Sequence, residues 1–324
     1  ETSFCKIEFS LAYDKTLFAL EQRVEQLRRA LADYAEEHGV YLLGLGIHPL
    51  TPPSQALMAK KSRNLFWDKA FSNGDVQLFT ITAASQAHVD ISIDEACDAV
   101  NVFNGLAGAQ IALTANSSVW KGDIDREYKA VREAFWDWWL PDGDRVGVPA
   151  RRFDSFDDYI ESICQLEPVF IVREGRALGI HRYNTFNDYY FAKEALAETE
   201  DGRLVEVTPI SDDFALHNTF CWYDARISRY CTLENRANCQ QPPEEIMVVA
   251  ALTLGLVQNL PQARELIDSY PWAELVASRR QAIHQALDAN VGGRPIKHLC
   301  REMLTIAEEG LKRRGLGEET FLSP

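Results

Sequence analysis

Residues 75–93 constrain the fold more than any other part of the sequence. Phe79, Ile81, Ala83, Val89 and Ile91 fall on one parity, while Thr80, Thr82, Gln86, His88 and Asp90 fall on the other. Successive side chains of a strand point to opposite faces, so this run predicts strand structure with one apolar and one polar face. A sheet half-buried in this way packs on a core through one side and keeps the other polar. The expected class is therefore α+β, with an antiparallel sheet that carries helices on one face and presents an open polar face on the other.

The rest of the chain offers the elements such a fold needs. Residues 3–9 read as a short extended segment with Cys5, Ile7 and Phe9 on one side and Lys6 and Glu8 on the other. Leu17, Leu20, Val24, Leu27 and Leu31 recur at helical spacing, with Asp14 or Thr16 to cap the start and Gly39 to close the end. Residues 40–47 read as a buried strand ending at His48-Pro49. Helices are expected over 94–116 (with Asp94 as N-cap), 125–139, 155–166 and 184–196, and a hairpin over 169–180 turning at Glu174-Gly175. A second set of strands is expected over 220–237. From Pro242 onward the chain reads as helical, opened by Pro242-Pro243 and divided by Pro261, Pro271 and Gly292-Gly293. One domain over 1–324 accommodates all of this, with a sheet-containing core over 1–241 and a helical part over 242–324.

Charge and cysteine usage narrow the function classes. The 324 residues carry 48 acids against 33 bases, a formal charge of −15 that disfavours nucleic-acid backbones and anionic membrane surfaces as partners. No apolar run reaches the roughly 18 residues of a bilayer span; residues 246–260 are interrupted by Thr253, Gly255 and Gln258 and read as a buried helix. Seven scattered cysteines without a Cys-x-x-Cys pair suggest reduced thiols in a cytoplasmic protein. The chain begins at Glu1 without an initiator methionine or a signal-peptide pattern. Neither a phosphate loop nor a serine nucleophile elbow is present, so any nucleotide must rest on a sheet-borne platform.

Glu8, His88, Asp90 and Glu234 stand out because each sits in an expected strand. Taken singly, such a group most often faces solvent. Several on one open face would instead concentrate oxygen ligands suited to Mg²⁺ with nucleotide phosphates. Glu234 and Arg236 are two apart on a strand and so project to one side, as do Gln86, His88 and Asp90. An exposed ladder salt bridge is the simpler account of the first pair.

In chain order, several segments resemble the glutamate–cysteine ligase family, in particular its plant-type and carboxylate–amine ligase branch. The opening run to Glu8 resembles the strand that supplies acidic metal ligands. Leu42-Leu43-Gly44-Leu45-Gly46-Ile47-His48-Pro49 resembles a leucine-rich strand ending in Gly-x-His-Pro, and Gln86-Ala87-His88-Val89-Asp90 a Gln-x-His-x-Asp/Asn strand. The helix end running into Ala115-Asn116-Ser117 and the segment from Tyr128 to Trp136, with Arg132 inside it, resemble two further blocks. His217-Asn218-Thr219-Phe220 with Arg226, then Leu233-Glu234-Asn235-Arg236 and Pro242, resemble the last strand block.

The resemblance implies a glutamine-synthetase-like fold and an ATP- and Mg²⁺-dependent ligase. It would join the γ-carboxylate of glutamate, through an acyl phosphate, to an amine. Cysteine is the default acceptor; another amine, a peptide or a carrier-bound terminus stays open, as does self-association. The metal ligands it implies are Glu1, Glu8, His88 and Glu234. Arg236 would contact phosphate, Arg132 the acyl phosphate or glutamate, and Gln86 would support the nucleotide or metal site. This sequence departs from the family pattern in two places. No Gly-x-Glu-x-Glu strand precedes Glu1, and Cys239 stands where relatives carry Asp, which motivates a rival expectation of a non-catalytic member that binds a metabolite or partner. Glu1 and Glu8, seven apart, also fall on opposite faces of an ideal strand.

Overall fold

The threonines of the alternating run do not stay in a strand. The structure, a computed structural model, describes residues 3–71, 75–140 and 145–323. Within it Asp75–Ile81 form a short 3-10 helix. Thr80 Oγ1 donates to Gln77 O (2.6 Å) and Thr82 Oγ1 to Phe79 O (3.2 Å), local bonds of the kind that compete with a ladder. Phe79 and Ile81 remain buried, in a cluster with Phe71, Phe135 and Trp139. The strand expected over 75–93 is reduced to β1, Ala87–Asp90.

The two earlier strands are corrected as well. Residues 3–9 form a single bridge, Ser3 with Met58, and Glu8 is exposed outside any strand. Tyr41 is 92% exposed and Val40, Leu42 and Leu43 are exposed with it, so residues 40–43 are not a buried strand. Only Ile47 pairs, by one bridge to Thr82. The backbone of this segment is satisfied by loops: Gly46 N donates to Asn116 O (2.8 Å), and Asn116 Nδ2 donates to Gly44 O (2.8 Å) and Gln240 O (2.9 Å). Among the described residues no neighbouring strand offers either segment a ladder.

Helices follow the sequence more closely. In α1, Leu17–His38, the Thr16 hydroxyl accepts from Ala19 N and Gly39 closes the end at φ 63°; Asp14 pairs with Arg23 instead. α2 spans Ser62–Ala70. α3, Ile93–Gly105, is capped by a Ser92/Glu95 box and not by Asp94, and a break at Leu106 starts α4, Ala107–Thr114. α5, Val131–Trp139, begins later than expected because Asp125 Oδ1 accepts from both Glu127 N and Tyr128 N (2.9 Å each) and holds those residues in a turn. β2, Val146–Gly147, precedes α6, Phe156–Cys164, which Ser155 caps.

β3, Phe170–Arg173, and β4, Arg176–Gly179, make the expected hairpin. Its turn puts Glu174 at φ 50° and Gly175 at φ 76°, the left-handed pair a two-residue hairpin turn requires. α7, Phe186–Tyr190, is much shorter than the helix expected over 184–196, since Ala195–Glu198 form β5 and pair with β6, Leu204–Val207. After α8, Ser211–Asn218, come β7, Trp222–Tyr223, β8, Ala225–Ile227, and β9, Thr232–Asn235. The C-terminal helices are α9, Val248–Gln258, α10, Leu260–Asp268, α11, Trp272–Gln285, and α12, Ile296–Arg314. No single helix among the described residues is long and apolar enough to cross a membrane.

The class is α+β, with several small antiparallel sheets in place of one broad layer. One sheet has the order β1-β9-β8 and another β3-β4-β5-β6, both antiparallel, while β2 runs parallel to β7. In the first sheet Ala87, Val89, Leu233, Ala225 and Ile227 share one face by register. That face packs on α3 and α9 in a core with Val100, Phe103, Leu252 and Leu256. Asn104 Nδ2 donates to Ala225 O (2.9 Å), and Asn235 Nδ2 to Gln110 Oε1 (2.7 Å) and Thr253 Oγ1 (2.8 Å), so the buried amides on this side are bonded to helices. The opposite parity is left to carry charge.

Candidate functional site

Register places His88 opposite Glu234 and Glu234 opposite Arg226, a row of three across β1, β9 and β8. Arg236 lies one alternation beyond Glu234, on the same side. Glu234 is only 4% exposed, yet it is charged. Arg226 grips it with two bonds, Nε to Oε2 (2.7 Å) and Nη2 to Oε1 (3.1 Å), and Arg236 Nη1 donates to Oε1 from the other flank. Burial alone would raise the Glu234 pKa, but Arg236 and Arg226 outweigh it and bring the carboxyl down to about 2. Arg226 is itself anchored, its Nη1 donating to Thr219 O (2.6 Å) and Cys221 O (3.0 Å).

A second layer of ion pairs lies behind this row. Arg132, on the first turn of α5, is buried; its backbone N donates to Ser117 Oγ (3.1 Å), its Nη2 to Arg236 O (3.3 Å), and it pairs with Glu133. Burial pushes the Arg132 guanidinium down to about 10, Arg236 acting in the same sense and Cys239 against it. Arg236 N donates to Asp224 O (2.8 Å). Asp224 in turn accepts from Arg279 Nε of α11 (2.6 Å), whose Nη1 reaches Asp137 on α5 (2.7 Å). Buried Cys239 fills the space over Gly46, with Sγ 3.5 Å from Ser117 Oγ. Trp136, one turn after Arg132, stacks on Trp222 at 5.9 Å and 27°.

Of the residues singled out from the sequence, His88, Glu234 and Arg236 come together on one sheet face. Arg132 joins them through the Arg236 carbonyl. Gln86 precedes β1 on the same parity and is exposed. His88 also sits at the exposed edge, with Nδ1 3.1 Å from Thr232 Oγ1; packing around it, Arg226 and Arg236 hold its pKa below the ordinary imidazole value against the pull of Glu234. Glu8 is not part of this sheet, and Glu1 lies outside the described residues.

Arg279, Asp224 and Asp137 had drawn no attention in the sequence. Helical spacing puts Arg279, and not exposed Arg280, on the stripe of Leu275, Ala282 and Ile283, so a cation on a buried face was the available signal. Arg226 belongs to a resembling block, but its meeting with Glu234 is set by the β8–β9 register, which no spacing within a segment records.

The donor set does not fit a divalent cation. Hard cations take several carboxylate or carbonyl oxygens, and among the described residues no group of three or more His, Cys, Asp or Glu stands close enough to hold one. Both Glu234 oxygens already accept from guanidiniums. What the face offers is fixed cationic donors, the chemistry that recognises phosphate and carboxylate oxygens.

Comparison with known proteins bears out the family resemblance. The chain matches Glutamate-cysteine ligase family 2 (GCS2) over residues 1–321, and it belongs to this family. Chloroplastic glutamate–cysteine ligases of Medicago truncatula and Arabidopsis thaliana are 25% identical over 301 residues and 26% identical over 303 residues. Each alignment covers 89% of this chain but 56% and 55% of the relative, so the chain spans about half the length of the curated relatives it matches.

Proposed function

We propose that the chain is an ATP-dependent carboxylate–amine ligase that joins the γ-carboxylate of glutamate to an amine, with cysteine the default acceptor. The observation that carries this reading is the convergence of Arg226, Arg236 and Arg132 around one polar sheet face in a chain of this family. In the proposed reaction a glutamate carboxylate oxygen attacks the γ-phosphorus of ATP and the bond to the β-phosphate oxygen breaks, giving acyl phosphate and ADP. The amine nitrogen then attacks the acyl carbon, phosphate leaves with the bonding pair, and the nitrogen gives up one proton to solvent. Arg236 and Arg132 would stabilise the negative charge that moves onto oxygen in both steps. No step is assigned to Mg²⁺, because the described residues do not assemble its ligands. A glutamine-synthetase-like layering and a compartment that keeps the seven free cysteines reduced belong to the same reading.

A second reading, a non-catalytic member that binds an anionic metabolite, draws on the capture of Glu234 by two guanidiniums. ADP release in the presence of ATP, Mg²⁺, glutamate and a panel of amines separates the two. The ligase reading expects glutamate-dependent ADP release with at least one amine; none above background with every amine favours the binding module. Arg236→Ala should chiefly lower kcat, since the charge it meets builds up during transfer, and an effect confined to KM would contradict that role.

A further inference from the structure

We infer that Arg279, in the C-terminal helical part of the chain, is the positioning residue that holds Arg132 and Arg236 in one arrangement; this rests on the ligase reading above. Arg279 is 4% exposed and lies on α11, outside the sheet and outside α5. Its guanidinium makes one short bond to each of two acids on different elements. Nε donates to Asp224 Oδ2 at 2.6 Å and Nη1 to Asp137 Oδ1 at 2.7 Å.

Asp137 belongs to α5, the helix that carries Arg132. Asp224 lies between β7 and β8, and its carbonyl accepts from Arg236 N at 2.8 Å. The circuit closes where Arg132 Nη2 reaches Arg236 O at 3.3 Å. A planar fork on a third element therefore ties α5, which carries Arg132, to the segment whose backbone carries Arg236. Lysine, with a single ammonium, cannot make this two-pronged contact in the same geometry.

The backbone makes room for the fork. Gly147 of β2 sits at φ 68°, and a Cβ there would fall 2.9 Å from Arg279 Cζ. β2 pairs with β7, so the strand leading into Asp224 is the one laid beside this gap. Asp224 is 3% exposed, whereas the Asp137 side chain retains 36% exposure. The Asp137 prong can thus be cut without stranding a buried charge, and the Asp224 prong cannot.

The test uses the full chain with Arg279→Lys, Asp137→Asn and Arg279→Ala, the last assayed with and without added guanidinium. Expected results are a kcat for ADP release reduced between roughly tenfold and a hundredfold in Arg279→Lys, a smaller loss in Asp137→Asn, and recovery of kcat in Arg279→Ala by guanidinium but not by an equal concentration of ammonium. Amide hydrogen exchange should quicken over 131–139 and 232–237 in Arg279→Lys, and over 131–139 alone in Asp137→Asn. A wild-type chain that releases no ADP would sink the ligase reading, and the exchange pattern would then decide the tether by itself. Unchanged kcat in Arg279→Lys, or exchange in both segments equal to wild type, would overturn the positioning role.

Discussion

Glu234 keeps its charge in a nearly closed position because Arg226 and Arg236 lie on either side of it, and its folded pKa of about 2 lies below the ordinary 4.5. A depressed carboxylate contributes stability that is present above its unfolded pKa and lost as pH falls through the folded one. Glu234→Gln keeps an acceptor for one arginine and removes the charge, so it should fold with a loss of about 1–3 kcal/mol by urea denaturation. The variant also loses the counter-charge that orients Arg226 and Arg236, so glutamate-dependent ADP release should fall with it. His217 acts in a different window. Stacked on Phe186 at 4.4 Å and bonded through Nε2 to Ile163 O (2.9 Å), it is pushed by burial to about 3. The unfolded chain takes up this proton below about 6.5 and the folded chain does not, so stability should fall by about 2 kcal/mol between pH 7 and pH 5. His88 and His181 are shifted the same way, and His217→Gln should flatten the slope by its own share; an unchanged slope would contradict the buried neutral imidazole. At this scale parity made His88, Glu234 and Arg236 legible, since period-2 alternation survives wherever a real ladder exists. Glu8 was misplaced because its alternation is real but no described strand pairs with it.

Elements were legible where local chemistry and packing agree. α1 has both its cap and its closing glycine, and the Glu174-Gly175 turn can adopt the left-handed pair that its hairpin needs. They were misread where the two conflict. Ala195-Leu196-Ala197-Glu198 are good helix formers, but their pairing with Leu204–Val207 overrides that preference. Thr80 and Thr82 suit a strand in isolation, yet their hydroxyls bond three residues back. The contact between α9 and α12 offers a test at this scale. A Cβ on Gly310 would fall on the Gly255 carbonyl oxygen, and a Cβ on Gly255 on the Ala307 carbonyl, so two helix backbones touch there. Gly310→Ala should push them apart and cost about 1–3 kcal/mol, read as a lower urea midpoint. A midpoint equal to wild type would mean the helices do not approach so closely.

At the scale of the molecule, the α+β class was legible from strand and helix patterns together, while the division into small sheets was not, and of the alternating run only Ala87–Asp90 is a strand. Long-range pairing decides how many short strands join, and no spacing within a segment records it. The helical C-terminal part proves to be more than a cover: α9 backs the sheet that carries Glu234, and α11 sends Arg279 to the two acids behind the arginines. The most direct measurement is the rate of glutamate-dependent ADP release, with an amine acceptor present, for the wild-type chain and Arg236→Ala side by side. If the arginine-lined face performs ligation, the wild type releases ADP and Arg236→Ala, its fold retained, does so with a much lower kcat; equal rates in the two proteins would show that it does not.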